Sequence, residues 1–340
     1  MQGIKIRQYQ KSDWSKFQDY IAEAFGKKNV LRDSGFFNWQ YDGGFFIAEA
    51  NGKIVGHFGY RDIDYKFSKE TRTVRVLMNF LTLEKFRSLG IGALLAKEVF
   101  RTNNPILVLG FTIFSQKLFS RLDNTWQEAG NLKRMIAVFN NQAPFIKDYK
   151  SPNLAISAIK SSGFEIKEWQ SFDFRYDDFW EKARDRYHIT VERTAEYLSW
   201  RFARHPHFKY KILEIYKNNK LSGFLIWRTE VSQGFKIARI IDLISYAGVD
   251  EFLILEFLNQ AKKSNAHAAD FMFSGSDYDN TLIKSGFFNI VGTEFEKFPI
   301  LFSPISYKKT IINIAYNFTH KLSSCFLTKA DGDQDRPNKV

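Results

Sequence analysis

Residues 86 to 93 read Phe86-Arg87-Ser88-Leu89-Gly90-Ile91-Gly92-Ala93, at the point where a predicted strand ends and a predicted helix begins. Such a turn exposes backbone N–H groups without intrahelical partners, and the helix dipole adds partial positive charge there. Gly90 and Gly92 let the backbone approach a bulky anion because they carry no Cβ. The Arg87 guanidinium is a donor suited to phosphate. The stretch therefore predicts a pyrophosphate site; a tight turn that binds nothing is the alternative.

Two other classes of phosphate-binding loop do not fit this stretch. A dinucleotide-binding fingerprint places G-x-G-x-x-G after the first strand of a βαβ unit, whereas this turn follows an antiparallel hairpin well into the chain. A P-loop needs Gly-Lys followed by Ser or Thr, and that sequence is missing here. The order of the surrounding elements must therefore identify the fold.

The elements around the turn follow a regular order in the first half of the chain. Alternating or short apolar runs predict the strands Ile4–Gln8, Phe45–Ala50, Ile54–Tyr65, Val74–Leu83 and Ile106–Leu109. Asn51-Gly52 is a strong hairpin signal between the second and third of these. Helices are predicted to start at Ser12-Asp13 and at Gly90, and a third spans Ser115–Leu122. The order predicts an α/β fold of the α+β kind, with helices flanking a mostly antiparallel sheet.

The second half of the chain repeats the first. Phe36–Tyr41 reads aromatic-x-x-Trp-polar-aromatic, and so does Tyr197–Phe202. Gly52–Arg61 and Asn219–Arg228 share Lys, an aliphatic residue, Gly, an aromatic residue and Arg in register. The order of elements agrees, with predicted segments at Asp173–Tyr176 (strand), Asp177–Ala183 (helix), Tyr210–Ile215, Leu221–Arg228 and Ile237–Ser245 (strands), Glu251–Lys262 (helix), Asp270–Ser274 (strand) and Asn280–Ser285 (helix). These matches predict an internal duplication.

The duplication divides the chain into two tandem domains. We expect a donor-binding domain at 1–145, a linker at 146–165 and a degenerate second domain at 166–300. The segment 301–340 is expected to pack back on both. Pro144 and Pro152 mark the looser region between the copies, which is predicted to carry a helix at 154–161.

Composition limits the partners and the compartment. The 340 residues carry a net charge of +12, yet no long Lys/Arg run or repeated basic-aromatic pattern favours nucleic acid. A single cysteine, Cys325, excludes an intramolecular disulfide and a CxxC metal site. Neither a signal-peptide apolar region nor a run of about 18 apolar residues is present. We therefore expect a cytoplasmic protein that binds small anionic ligands; its oligomeric state, monomer or dimer, is left open.

The turn and the elements around it resemble the GNAT acyltransferase superfamily, whose hallmark is Arg/Gln-x-x-Gly-x-Gly/Ala at this junction. The resemblance covers residues 1 to about 140 and, by duplication, much of 165–300. It implies that acyl-CoA is the donor, with pantetheine along the splayed end of the third strand. The residues that it assigns to acyl-CoA are Phe80, Leu81, Thr82, Leu83, Arg87, Ser88, Leu89, Gly90, Ile91, Gly92, Ala93, Thr112, Ser115 and Phe119.

The expected chemistry is direct attack of an amine on the thioester, which needs no covalent intermediate. Asn79 and His57 are the candidate catalytic residues; a satisfied core amide and a structural histidine are the alternatives. GNAT enzymes often carry a Tyr where this chain has Phe119, so the general acid is left open. In the second copy, 240–250 lacks the glycine turn and Asp250 would repel phosphate. That copy is expected to have lost CoA binding and to form acceptor-site wall.

The acceptor is inferred from a finer resemblance. Tandem GNAT chains with an aromatic-x-x-Trp-Arg segment and a similar tail resemble bacterial N-acyltransferases of dTDP-3-amino-3,6-dideoxyhexoses, some of which transfer 3-hydroxybutanoyl instead of acetyl. This implies a nucleotide-linked amino sugar as acceptor, in surface polysaccharide (O-antigen, capsule or lipopolysaccharide) synthesis. The residues expected to bind it are Trp39, Trp200, Arg201, Asp242, Asp331 and Asp333. The alternatives are that the tryptophans are core residues, that Arg201 forms a surface salt bridge and that the acidic tail is solvated. The tail aspartates lack the twelfth-position Glu of a calcium loop, so no metal is expected.

Two alternatives stay open. A FemAB-like aminoacyl transferase also pairs two GNAT folds, but its donor copy would not need the intact turn around Arg87. A non-catalytic acyl-CoA sensor or scaffold is the other, and Phe119 gives it weight because it replaces the expected acid.

Overall fold

The computed structural model describes residues 3–139, 163–293, 296, 298 and 311–337. The strands are β1 (Ile4–Gln8), β2 (Phe45–Ala50), β3 (Lys53–Phe67), β4 (Glu70–Thr82), β5 (Ile106–Leu109), β6 (Gln127–Asn131), β7 (Lys133–Val138), β8 (Phe164–Glu168), β9 (Ile189–Val191), β10 (Lys211–Lys217), β11 (Lys220–Ser232), β12 (Phe235–Ser245), β13 (Ala268–Phe273), β14 (Phe288–Asn289) and β15 (Asn313–Tyr316). The α-helices are α1 (Trp14–Phe25), α2 (Ser34–Gln40), α3 (Ile91–Val99), α4 (Ile113–Leu122), α5 (Phe174–Ala183), α6 (Ala195–Leu198), α7 (Asp250–Lys263) and α8 (Asp279–Lys284).

Local sequence signals account for most of these bounds. The turn between β2 and β3 has positive φ at both Asn51 (49°) and Gly52 (75°), as a tight type I′ hairpin requires. Helix α2 starts after Asp33, whose carboxylate accepts a hydrogen bond from the Phe36 N–H at 2.7 Å. Helix α1 buries Phe17 and Ile21, which lie four residues apart on one face.

Two sheets with the same topology form the molecule. The first has the strand order β1-β2-β3-β4-β5-β15-β6, with β9 beside β3, and the second has the order β8-β10-β11-β12-β13-β7-β14. Strand directions correspond as well: β4 and β5 are parallel, as are β12 and β13, and the other neighbours are antiparallel. Helices flank the sheets. The predicted fold class, two tandem copies of a mixed and mostly antiparallel sheet, is confirmed.

Each sheet contains strands from both halves of the chain: besides β9, one further strand in each sheet comes from the other half. Strand β15 lies between β5 and β6 of the first sheet and pairs Ile314 with Leu109. Strand β7 directly follows β6, but it lies between β13 and β14 of the second sheet and pairs Met135 with Phe271. Because β7 and β15 hold corresponding positions, the two halves have exchanged their last strands. The domain boundaries at residues 145 and 301 thus remain a prediction, since each sheet contains strands from both sides of these boundaries.

The repeated tryptophan segments meet each other. The Trp39 Nε1–H donates to the Trp200 carbonyl at 2.8 Å, and the Trp200 Nε1–H donates to the Trp39 carbonyl at 3.0 Å. The two indole rings are stacked, with centroids 5.4 Å apart. These reciprocal contacts relate the copies by an approximate two-fold axis, as an internal duplication would.

One predicted segment is wrong and another cannot be compared. Asp173–Tyr176 is not a strand: the Asp173 carboxylate caps helix α5 by accepting from the Arg175 N–H at 3.1 Å, and the first strand of the second copy is β8. The predicted helix at 154–161 lies outside the described residues. Among the residues that are described, no helix has the length and apolarity to cross a membrane.

Candidate functional site

Strands β4 and β5 diverge after only three residue pairs. Arg75, Val76 and Leu77 of β4 pair with Ile106–Val108 of β5, and no pair follows in their register. Two residues later Asn79 has a φ of 47° and interrupts the register with β3, which is the mark of a β-bulge. The strand beyond the bulge therefore turns a backbone edge toward a cleft. An extended chain such as pantetheine can pair with such an edge.

The predicted anion-binding turn lies at the end of the same strand. A 3₁₀ turn covers Glu84–Leu89, Gly90 has a φ of 71°, and α3 begins at Ile91. A Cβ at position 92 would stand 3.2 Å from the Phe80 ring, so Gly92 keeps backbone and ring in close contact. Arg87 is exposed at the turn, where its Nε donates to the Thr82 carbonyl at 3.3 Å. First-turn N–H groups and a guanidinium thus stand together.

A cavity of about 840 Å³ joins the bulge to this turn. Most residues assigned to acyl-CoA line it, namely Phe80, Leu81, Thr82, Arg87, Gly90, Gly92, Ala93, Thr112, Ser115 and Phe119. Four others lie outside its wall: Leu83 and Ile91 are core residues, and Ser88 and Leu89 are exposed on the turn. Sequence reasoning missed Phe58, Leu77, Met78, Val108, Gly110, Phe111, Phe114, Leu118, Gln334 and Arg336, which also line it.

Phe119 lies within an aromatic cluster at the cavity wall. It is buried and stacks 5.7 Å from Phe58, with Phe100 and Trp126 at 5.2 and 5.5 Å. These contacts explain a phenyl ring at this position through packing. They offer no proton to a leaving thiolate, so the general acid must come from solvent or from another group.

Asn79 contacts Tyr41 at the cleft. Its side-chain N–H group donates to the Tyr41 hydroxyl, and burial raises the pKa of that hydroxyl well above its usual value. The amide is thus hydrogen-bonded, as in a core, yet Asn79 also lines the cavity. Contact of Asn79 with the acyl group or the acceptor stays a prediction.

His57 is placed differently from Asn79. It is fully buried on β3, and its Nδ1 lies 2.8 Å from the Tyr20 hydroxyl. Burial, with a smaller effect of the Arg336 charge, lowers the pKa of His57 to about 3. A base so weak and enclosed is poorly suited to accept a proton from an amine, and these observations argue against the predicted catalytic role.

The buried state of His57 predicts acid sensitivity. Below pH 6.5 the unfolded chain binds a proton that the folded chain excludes, so stability falls as the pH drops. Between pH 7 and pH 5 the contribution of His57 is about 2 kcal/mol. We expect His57→Phe to reduce the loss of unfolding free energy over this interval by that amount in urea titrations. The exposed His188, as His188→Phe, is the control, and an unchanged slope in His57→Phe would contradict the prediction.

Two buried ion pairs fix the C-terminal tail, residues 328–337, between the copies. The Arg193 Nη2 lies 2.9 Å from the Asp331 Oδ1, and both side chains have 0% exposure. The Arg228 Nη2 lies 2.8 Å from the Asp335 Oδ1, and Arg228 lowers the pKa of Asp335 despite complete burial. The acidic residues of the tail are therefore buried in the core and are not solvated.

Several residues predicted to bind substrate hold this tail. Arg201 is buried and donates to the carbonyls of Ala330 at 2.9 Å and Asp335 at 3.2 Å. Asp242 is also buried, with its Oδ2 2.8 Å from the Arg193 Nε, while the Nη2 of the same guanidinium donates to Asp331. The polar groups of Arg201 and Asp242 thus bond to other residues of the protein, and their contact with an acceptor stays a prediction.

The tail brings three side chains to the 840 Å³ cavity, which is the predicted donor cavity: Asp333, Gln334 and Arg336. The Gln334 Nε2 donates to the Leu109 carbonyl at 2.7 Å and to the Asp333 Oδ1 at 2.8 Å. A Cβ at Gly110 would stand 2.6 Å from that Nε2, so the glycine makes room for the tail. The Arg336 Nε lies 3.5 Å from the Asp333 Oδ2. The cavity therefore ends in a carboxylate supplied by the tail.

Trp200 lines a second cleft, of about 630 Å³, between the copies. The Arg61 guanidinium stands 3.9 Å from the centroid of the Trp200 ring, and Arg184 and Arg204 also line the space. Carboxylates outnumber these arginines: Asp42, Asp62, Asp64, Asp177, Glu181, Glu192 and Glu196. Trp39 contacts Trp200 but does not line the cleft, so the predicted substrate residues are not brought into one site.

The second copy has an acid where the first has its predicted anion-binding turn. Asp250 is the first residue of α7, and its Oδ1 accepts from the Gly248 N–H at 3.2 Å. Its other oxygen accepts from the Thr281 hydroxyl at 2.5 Å, and the Arg186 Nη1 lies 3.5 Å from Oδ1. A carboxylate thus uses the helix N-terminus that a phosphate would need.

Part of the chain matches a protein-family model, and its fold resembles those of several solved structures. Residues 6–102 match the model of the Acetyltransferase (GNAT) family. No curated protein matches the sequence. A probable N-acyltransferase structure from Enterococcus faecalis is 12% identical with a TM-score of 0.63, over 94% of this chain and 73% of that one.

Two further solved structures share the fold across both copies. A GCN5-related N-acetyltransferase from Anabaena variabilis is 9% identical with a TM-score of 0.59, over 92% of this chain and 72% of that chain. N-myristoyltransferase from Saccharomyces cerevisiae, with bound myristoyl-CoA, is 12% identical with a TM-score of 0.55, over 95% and 84%. The chain therefore has the GNAT fold in two copies.

Proposed function

We propose that this protein transfers an acyl group from acyl-CoA to an amine, with the donor held by the first copy alone. The observation that carries the proposal is the continuous cavity from the diverging ends of β4 and β5 to the turn at Arg87. Its apolar walls suit pantetheine and an acyl chain, and the turn suits a pyrophosphate. The yeast structure with bound myristoyl-CoA supports the class of donor.

In this proposal the protein positions the reactants and uses backbone polarity. The acyl carbonyl oxygen would accept a hydrogen bond from a backbone N–H of β4 beyond the Asn79 bulge, where β5 no longer pairs. Such a donor stabilises the negative charge that develops on this oxygen as the amine attacks. The C–N bond forms, the C–S bond breaks, and CoA leaves as the thiolate.

The acceptor in this proposal is a nucleotide-linked amino-deoxyhexose, with dTDP as the nucleotide and acetyl or 3-hydroxybutanoyl as the acyl group. Its support is the sequence resemblance to the bacterial amino-sugar enzymes and the net charge of +12, which suits two phosphate-bearing substrates. The reaction would belong to bacterial surface polysaccharide synthesis in the cytoplasm. An acyl-CoA-binding scaffold is the second candidate, favoured by the packed Phe119 ring.

The decisive experiment measures thiol release from acetyl-CoA and 3-hydroxybutanoyl-CoA against a panel of dTDP- and UDP-linked amino sugars. Release that depends on one amino sugar would support transfer and identify both substrates. Tight CoA binding without release from any pair would favour the scaffold.

Arg87→Ala tests the donor site independently of the acceptor. Loss of a charge-assisted hydrogen bond to phosphate costs about 1.5–3 kcal/mol. We therefore expect the Kd for acetyl-CoA, measured by calorimetry, to rise about ten-fold or more. Lys85→Ala is the matched control, because Lys85 lies on the same turn but pairs with Glu23 at 2.8 Å on the surface. Equal affinities of the two variants would contradict this site.

A further inference from the structure

Among the tail aspartates, Asp333 lines the donor cavity, whereas the other two pair with arginines of the second copy. Asp331 and Asp335 form the buried pairs with Arg193 and Arg228. Asp333 lines the cavity together with Asn79. Three aspartates of one short segment therefore have two different environments, and only Asp333 can meet a bound donor.

The position of Asp333 is set from the β5 side of the diverging strands. The Gln334 Nε2 donates both to the last carbonyl of β5, at Leu109, and to the Asp333 Oδ1. On the β4 side, Asn79 lines the same cavity as Asp333 and donates to the Tyr41 hydroxyl. The carboxylate thus lies at the end of the cavity where the strands separate and where the acyl group is expected.

We propose that Asp333 is the general base that takes the proton from the acceptor amine. This rests on the acyl transfer proposed above. Attack forms the N–C bond and leaves a positively charged nitrogen, whose proton is far more acidic than that of the free ammonium. The Asp333 carboxylate accepts this proton, the C–S bond breaks as electrons return from the oxyanion, and the proton passes to the thiolate or to solvent. A carboxylate is a sufficient base for that step.

The assignment also gives the tail a role in catalysis. Gln334 is a positioning residue, since it holds the carboxylate against β5, and Arg336 contacts the other oxygen. The buried pairs at Asp331 and Asp335 fix the segment on both sides of Asp333. This arrangement meets the need for a base held by rigid neighbours.

Asp333→Asn tests the proposal, because an amide keeps the shape and still accepts from Gln334. We expect kcat for thiol release with the responsive amino sugar to fall about 100-fold, while the Kd for acetyl-CoA and the thermal midpoint stay unchanged. The pH profile of kcat should change, with the rate rising in proportion to hydroxide because solvent then has to take the proton. Asp333→Glu should recover part of the rate. Glu128→Gln, at an exposed position on β6, is the charge control.

The possible outcomes distinguish failure of Asp333 as the base from failure of the proposed acyl transfer. Wild-type release together with an unchanged rate and pH profile in Asp333→Asn overturns the base and leaves acyl transfer intact. A parallel loss of CoA binding and thermal stability in Asp333→Asn would show a structural role and also overturn it. Absence of release by the wild type with every amino sugar overturns the proposed function and this assignment with it.

Discussion

Residues 1–145, expressed without the rest of the chain, will not fold on their own. The fragment lacks β15, the strand between β5 and β6, so β6 has no partner in its own sheet. It also keeps β7, whose partners β13 and β14 belong to the second half. We expect no cooperative thermal transition and association through the open strand edges.

The size of this effect follows from the apolar side chains involved. Ile314 and Tyr316 are buried in the first sheet, and Met135, Ile136 and Val138 of β7 are buried in the second. Full burial of one large apolar side chain contributes about 1.5–3 kcal/mol. Five such side chains match the whole stability of an ordinary domain, about 5–15 kcal/mol.

A matched control separates the missing strand from mere truncation. A chain that joins residues 1–132 to 311–320 through a flexible linker restores β15 and removes β7. We expect this chain to unfold cooperatively in circular dichroism melts. A sharp transition in the 1–145 fragment, at the midpoint of the linked chain, would show that the exchanged strand is dispensable.

Arg193→Ala should lower the free energy of unfolding by about 3–5 kcal/mol, because it leaves the Asp242 and Asp331 carboxylates buried without their cation. Arg193 has 0% exposure and contacts both, at 2.8 and 2.9 Å. The measurement is urea unfolding at pH 7. Lys85→Ala is the surface comparison and should cost less than about 1 kcal/mol. A loss in Arg193→Ala no greater than in Lys85→Ala would contradict the prediction.

The loss in Arg193→Ala should shrink as the pH falls. Burial raises the pKa of Asp331, and Arg193 opposes that rise in the wild type. Without Arg193 the folded variant takes up a proton more readily than the unfolded chain, so acidification stabilises it relative to the wild type. The difference between the two proteins should therefore be smaller at pH 5 than at pH 7.

Local signals made much of the fold predictable. The hairpin at Asn51-Gly52 and the strand Ile106–Leu109 depend on neighbouring residues, and both lie where the sequence places them. The turn at Gly90 was predictable for the same reason, since its conformation depends on a single strand–helix junction; its binding of a donor stays a prediction. The predicted strand at Asp173–Tyr176 was wrong because a helix-capping residue followed by alternating aromatic side chains has the same pattern as the start of a strand.

Contacts distant in sequence could not be predicted. Nothing in Lys133–Val138 indicates which of two similar sheets it will join, since β5 and β13 both accept an antiparallel neighbour at the corresponding edge. Similarly, the tail aspartates were expected near the acceptor, but their different roles depend on where Arg193 and Arg228 stand in the second copy. Gly110 at the end of β5 was the available signal that another segment approaches closely there.

The exchanged strands also affect how the protein is made. The chain is synthesised from its N-terminus at about 5–20 residues per second, so roughly ten to forty seconds separate the appearance of β6 from that of β15. During that time the first sheet lacks β15, and the apolar residues of β7 lack their partner strands in the second sheet until β13 and β14 are made. Completion of both sheets is therefore a late event in synthesis, and a nascent chain of this kind needs protection from its neighbours until then.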